Sequence, residues 1–439
     1  MKKNKISRRQ FLKKSAGISL GALVAPTIVP SHVFGKPGVV APNDKITIGC
    51  IGVGGMGTGN MRSFLELPDA QVVAVCDVDR NHAENAQNLV NTKYGSMDCA
   101  IYKDFRDVIS RKDIDAVMIA TPDHLHAIIA VAAARAGKDI YCEKPLAYTI
   151  SEGRAVVDAV HRYDVVWQTG SWQRSQQHFR YACELVRSGK IGEVNKVHVG
   201  LPYGNGIRQG STQPAPVPEH FDYNMWLGPA PFVPYNPTRC HWNFRWISDY
   251  SGGQLTDWAG HHIDIAHWGM NTEHSAAVEI EGRAVYPPAS DGQFDTPNSY
   301  YFEAKYAEGF TMIVADSRQQ EKGMGVHFMG SDGWIHVGRG TLTASSKSLL
   351  KTRLSANDTR LYISNDHRQN FLDCVRSREK TITPVNVAHH SIMTGHLGVI
   401  AMKLGRKLRF DVKKERFVND ADANRMLIRP MRSPWHVSI

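Results

Sequence analysis

The chain has 439 residues, with 52 Lys and Arg against 42 Asp and Glu, a formal net charge of +10. Seven of those ten excess charges lie in the first 14 residues (Lys2, Lys3, Lys5, Arg8, Arg9, Lys13 and Lys14), leaving +3 for the rest, so charge gives no reason to expect a nucleic-acid partner. The seven cysteines are scattered, odd in number and without a CxxC pair, which speaks against a disulfide framework or zinc ribbon and suits small core residues.

Residues 1–35 read as a leader rather than as part of the fold. Ser7-Arg8-Arg9-Gln10-Phe11-Leu12-Lys13 resembles a twin-arginine export signal. The following stretch, Ser15 to Pro30, is only mildly apolar and is broken by Gly17, Gly21 and Pro26. It falls short of the about 20 apolar residues that a membrane span needs. A cleaved, periplasmic protein without a membrane anchor in its mature form is expected. The roughly 400 residues that remain are ample for two domains with cores of their own.

Ile46 to Ile51 is a short apolar run suited to a buried strand, and Gly52-Val-Gly54-Gly55-Met56-Gly57 follows it at once. A second apolar run, Gln71 to Cys76, ends at Asp77, at the distance from the glycines that a dinucleotide fingerprint requires. Gly52 permits a tight turn, Gly54 a close approach of backbone to pyrophosphate, and Gly57 close helix–sheet packing. Gly55 and Met56 are counted with these cofactor contacts, and the helix N-terminus adds partial positive charge for the phosphates. Asp77 is placed to accept from a ribose diol and would repel a 2′-phosphate. NAD is therefore expected, while Arg80 leaves NADP open.

Asp104 to Ile109 reads as a short helix and Ile114 to Ala120 as a further strand, which ends in Thr121-Pro122-Asp123-His124-Leu125-His126. An alanine-rich helix then closes at Gly137, and Asp139 to Cys142 is a strand ending in Glu143-Lys144-Pro145. Strands alternating with helices predict a parallel sheet with ligands at its carboxyl ends. Thr121, Pro122, Glu143 and Lys144 fall at such ends and are candidate cofactor contacts. His126 is added to them, although a histidine at a helix start is more often structural.

Taken in order, GVGGMG, AVCDVD, IATPDHLHA and CEKPLA resemble the Gfo/Idh/MocA family, which includes glucose-fructose oxidoreductase and inositol dehydrogenase. The resemblance implies an α/β Rossmann-type parallel-sheet domain, residues 43–165, followed by an α+β domain with an open, mainly antiparallel sheet, residues 166–410. A tail, residues 411–439, is expected to pack on the body. The resemblance places Lys144 between nicotinamide and substrate, where an ammonium favours a developing alkoxide. It also implies a homo-oligomer, since the family usually pairs its open sheets.

In the second domain Phe179 to Ser188 reads as a helix, and strands are predicted at Val194–Val199, Ala277–Glu281, Tyr300–Lys305, Thr311–Ala315 and Trp334–Val337. Gln173 and Arg174 follow the last strand of the first domain and are candidate substrate contacts. In Gly253 to Trp268, Asp257 and His261 are i, i+4 neighbours on one helix face. A carboxylate beside an imidazole suits proton removal from a hydroxyl. By resemblance Lys144, Asp257 and His261 form the catalytic group, with His262 and Arg245 as further substrate contacts. Which of Lys144 and His261 ends with the proton is open. A metal held by His261, Asp264 and His267 is disfavoured, because i, i+6 imidazoles diverge around a helix, and no metal is expected. The aromatic-rich insertion Tyr203 to Asn243 suits a pyranose ring or a packed loop.

The expected function is oxidation of a secondary hydroxyl of a sugar, glycoside or cyclitol by an exported NAD(P)-dependent oxidoreductase with tightly bound cofactor. The alternatives are an NAD-dependent glycosidase acting by transient ring oxidation and, from another class, a sugar or NAD sensor.

Overall fold

The computed structural model describes residues 44–204, 206–288 and 292–437. The expected export leader lies outside the described residues. From Ile46 onward the chain opens with β1 (Ile46–Ile51), α1 (Gly55–Leu65), β2 (Ala70–Cys76), α2 (Arg80–Tyr94), β3 (Ala100–Tyr102) and α3 (Phe105–Ser110). It continues with β4 (Ala116–Ile119), α4 (Asp123–Arg135), β5 (Asp139–Cys142), α5 (Ile150–Tyr163) and β6 (Trp167–Thr169). These strands form one parallel sheet in the order β3-β2-β1-β4-β5-β6. The order reverses between β1 and β4, which opens a crevice at the carboxyl ends of those two strands.

Helices on both faces explain why the strands are unbroken apolar runs. In β4, Ala116 and Met118 enter one core with Phe64 of α1, while Val117 and Ile119 enter the other with Ile129 of α4. α2 and α5 go beyond the elements expected from the sequence, yet each has a local start signal. Asp79 accepts from the backbone N–H of Asn81, and Thr149 from that of Glu152, satisfying donors that a helix start leaves free.

The second part begins with α6 (Gln177–Arg187) and β7 (Val194–Leu201), then α7 (Tyr223–Leu227) and the long α8 (Gly253–Met270). β8 (Glu279–Val285), β9 (Ser299–Lys305), β10 (Thr311–Asp316), β11 (Gly325–Gly330), β12 (Trp334–Gly338) and β13 (Thr341–Ala344) follow. After α9 (His367–Ser377) and α10 (Val385–Leu404) come β14 (Leu408–Asp411), β15 (Arg416–Phe417) and α11 (Ala421–Arg425). The second sheet runs β13-β12-β11-β7-β10-β9-β8-β14-β15 and is antiparallel except for the parallel β7–β10 pair. Alternate residues such as Val197, Val199, Phe302, Met312 and Phe328 face a core shared with α8 and α10.

Two segments recross to the first domain. Phe371 of α9 packs edge-on against Phe64 and Tyr141, at centroid distances of 6.3 and 5.9 Å. In the tail, Arg429 pairs with Glu152 at 2.6 Å and Trp435 stacks on Phe105. All seven cysteines are buried and free. No helix among the described residues is long and apolar enough to cross a membrane.

Candidate active site

The glycine turn between β1 and α1 is closed by sterics. Gly52 has φ of +79°, and a Cβ there would lie 2.8 Å from the Ala120 carbonyl group. A Cβ on Gly57 would lie 1.8 Å from the Gly52 carbonyl oxygen, so Gly57 lets the helix start nest under the turn. Above Gly54 and Gly55 the space is open, with only the His82 ring near, at 3.8 Å. That space belongs to a cavity of about 430 Å³ lined by Gly52, Gly54, Gly55, Met56 and Asp77 on one side and by Thr121, Pro122, Glu143 and Lys144 on the other. Asp77 accepts from the N–H groups of Val53 and Asp79, both at 2.9 Å. Those bonds fix the carboxylate and leave acceptor sites on the cavity side. The bare backbone, the helix start and the oriented carboxylate together fit a dinucleotide.

The far end of the cavity holds a charge pair from different domains. Lys144 follows β5, its peptide bond to Pro145 is cis, and its ammonium donates to Asp257 Oδ1 at 2.7 Å and to the Asp257 carbonyl oxygen at 3.0 Å. Gly260, one turn along α8, allows this approach, since a Cβ there would sit 3.0 Å from that of Lys144. Arg245 Nε stands 3.5 Å from the same carboxylate oxygen and also lines the cavity. Burial by itself would raise the Asp257 pKa, but the Lys144 and Arg245 cations outweigh it and hold the carboxyl below its ordinary range. Glu143, at the same loop, accepts from Asn60 at 2.7 Å.

His261 lies one turn beyond Asp257, 3% exposed, with ring contacts to Trp172 and Trp258 and a buried Nδ1 that has no hydrogen-bond partner. Burial, reinforced by Lys144 and Arg339, holds its pKa well below the ordinary histidine value. It is a neutral imidazole behind the lysine–aspartate pair, not a wall of the cavity.

Several candidates from the sequence take other roles. Arg174 is 2% exposed and pairs with Asp264 at 2.7 Å and Glu273 at 2.5 Å, so its guanidinium is committed inside the second domain rather than to substrate. Gln173 is fully buried, its amide lying between the His261 carbonyl oxygen at 3.0 Å and Arg339 Nε at 3.1 Å. His262 stacks on Trp258 away from the cavity, and burial pushes its pKa down to about 3. His126 is corrected too. Its ring nitrogens meet the carbonyl oxygens of Pro145 at 2.6 Å and Thr121 at 2.8 Å, so it ties together two cofactor loops instead of touching the cofactor. His124 is bonded to the Trp226 carbonyl oxygen, and Asp264 and His267 face Arg174 and Tyr306 respectively.

The aromatic-rich insertion, read from the sequence as suited to a pyranose ring or a packed loop, does reach the site. The insertion contributes Arg208, Phe221, Trp226, His241 and Trp242 to the cavity. Arg339, in the β12–β13 turn, is sandwiched between Trp172 and Trp258 at 4.5 and 4.3 Å. Hydrophobic periodicity is silent about a turn residue, and only the folded sheet brings it beside His261.

Residues 46–171 match the family described as "Oxidoreductase family, NAD-binding Rossmann fold", and residues 184–437 match "Oxidoreductase family, C-terminal alpha/beta domain". The chain belongs to the Gfo/Idh/MocA oxidoreductase family. Its first domain is accordingly an NAD-binding Rossmann fold, and the protein is a dehydrogenase-type enzyme. The chain is 25% identical to "Uncharacterized oxidoreductase YrbE" of Bacillus subtilis over 63% of its own length and 68% of that protein's. It is 32% identical to a "Glycosyl hydrolase family 109 protein" of a Shewanella species over 43% of its length and 44% of the relative's. Among solved structures, scyllo-inositol dehydrogenase from Lactobacillus casei with NAD(H) and scyllo-inositol superposes with a TM-score of 0.59. That likeness, at 17% identity, covers 83% of this chain and 99% of that one and speaks to the fold.

Proposed function

We propose that this Gfo/Idh/MocA oxidoreductase oxidises a secondary hydroxyl of a sugar, glycoside or cyclitol in an exported form that keeps its NAD bound. The observation that carries the reading is the Lys144–Asp257 pair at the end of the dinucleotide cavity. An ammonium has three donors, and Asp257 occupies two of them. The third is available to a substrate oxygen. NAD, when bound, supplies the two-electron acceptor for the hydride that leaves carbon as the carbonyl forms.

Lys144 stabilises the oxygen as negative charge develops on it, and Asp257 and Arg245 set its position. The hydroxyl proton leaves by way of the Lys144 ammonium toward Asp257, both of which line the cavity, while His261 stands one helical turn behind them as a neutral imidazole. Trp242, Phe244 and Arg245 border the same end of the cavity, and Arg245 lies over both rings at 5.0 and 4.7 Å. Flat aromatic faces beside a guanidinium suit a ring that carries several hydroxyls. Twin-arginine export would deliver a folded, cofactor-loaded protein, which agrees with a cofactor reset in place.

The test is to release nucleotide from the purified protein by denaturation, identify it by mass spectrometry, and incubate the native protein with a panel of cyclitols, free sugars and glycosides. Bound NAD(H) with accumulation of a keto product is expected. Absence of nucleotide, with none taken up on addition, would sink the reading. The similarity to a glycosyl hydrolase family 109 protein favours a second reading, in which oxidation is transient and the hydride returns after elimination of the glycosidic substituent. Release of aglycone without keto product would select it.

A further inference from the structure

At the opposite end of the cavity the insertion is fastened to the nucleotide domain. The backbone N–H of Arg80 donates to the His220 carbonyl oxygen and that of Asp222 to the Val78 carbonyl oxygen, both at 2.8 Å. Lys103 pairs with Asp222 at 2.7 Å. This contact brings His241 of the insertion over Asp79, at the start of α2, and His82, in the first turn of α2. One ligand-capable atom from each of the three lies within 4.8 Å of the others. His241 Nε2 already stands 3.5 Å from Asp79 Oδ2, and the two imidazole centroids are 5.1 Å apart.

The donors suit a late transition metal. Ligands at ~2.0–2.1 Å from a tetrahedral zinc lie ~3.3 Å apart, so the Asp79–His241 separation is close to a chelating one. Both histidine side chains are partly exposed, at 38% and 43%, and have rotational freedom to close the rest. Asp79 is nearly buried and is fixed by accepting from the Asn81 N–H through Oδ1, which leaves Oδ2 directed at His241. An anchored carboxylate with two movable imidazoles is a sound chelating set, because the rigid ligand is oriented by a bond of its own. His241 adopts φ of +55°, an uncommon conformation for a residue with a side chain. His220, 3.9 Å from Asp79 Oδ1, is within reach of a fourth position.

We propose that Asp79, His82 and His241 form a zinc-class metal site that clasps the insertion to the nucleotide domain at the mouth of the cofactor cavity. The metal is structural, bridging two segments that the chain separates by more than a hundred residues.

The experiment titrates zinc chloride into chelator-treated, dialysed full-length protein by calorimetry, and follows thermal unfolding with and without zinc. One zinc per chain is expected, with a higher Tm for the loaded protein, since a ligand bound by the native state alone stabilises it. His82→Ala and His241→Ala should each weaken binding by at least about tenfold, because even partners of a ligand are worth that much. Both side chains are partly exposed, so circular dichroism should show both variants folded. No saturable zinc, or an affinity indifferent to both substitutions, would overturn the proposal.

Discussion

Lys144 and Asp257 are 113 positions apart and belong to different domains, yet the lysine Nζ donates to both the side chain and the main chain of the aspartate. The pair joins the end of β5 to the second turn of α8 and thereby places the two halves of the site. Replacing Lys144 with Met should lower kcat by about 10²–10⁴-fold, the usual worth of a positioned proton-handling group. Bound NAD should be retained. Single-turnover nicotinamide absorbance with the preferred substrate checks this, and an unchanged rate would remove Lys144 from the chemistry.

Asp77 is oriented by two backbone N–H groups, and Gly57 sits under the Gly52 carbonyl. Asp77→Asn should weaken NAD binding by about 1.5–3 kcal/mol, the worth of hydrogen bonds to a charged group, with a smaller loss for NADP. Gly57→Ala should abolish nucleotide retention, because its Cβ would occupy space filled by the Gly52 oxygen. Equilibrium fluorescence with NADH measures both.

Arg174 tests the correction made by the structure. Arg174→Met leaves the buried Asp264 without its cation, Glu273 keeping Arg187 at 3.2 Å, and should cost about 3–5 kcal/mol of stability. The KM of the folded fraction should not move. A raised KM with unaltered Tm would restore Arg174 to the substrate.

Acid should destabilise the protein early. His124, His262, His267 and His367 are each pushed down from 6.5 to about 3, in every case chiefly by burial. The unfolded chain therefore binds more protons than the native one below pH 6.5, and stability falls as pH drops from 6.5 toward 3. Each histidine contributes about 1.4 kcal/mol per pH unit well inside that window. Urea unfolding at a series of pH values should show this slope; a flat profile between 6.5 and 5 would contradict it.

The nucleotide half was legible because its signals are local. β1 and β5 fall on the expected residues, and the glycines and Asp77 act within one β-α-β unit. Lys144 and Asp257 were also legible, through motif and helical spacing. Arg174 and His262 were misread because position beside a cleft segment does not fix direction. A residue one step from a wall can face a carboxylate in the core, as Arg174 does. Arg339 and the Asp79–His241 approach were invisible, since each depends on loops that meet only after both sheets have formed.

The return of α9 and of the tail to the first domain bears on how this protein can be recombined with its relatives. Residues 43–165 do not make a portable cassette. Lifted out, they would present Phe64 and Tyr141 without Phe371, and the buried Glu152 without Arg429. A chimaera that exchanges nucleotide specificity should therefore carry 367–377 and the segment from 429 with the first domain, as three strips of sequence rather than one.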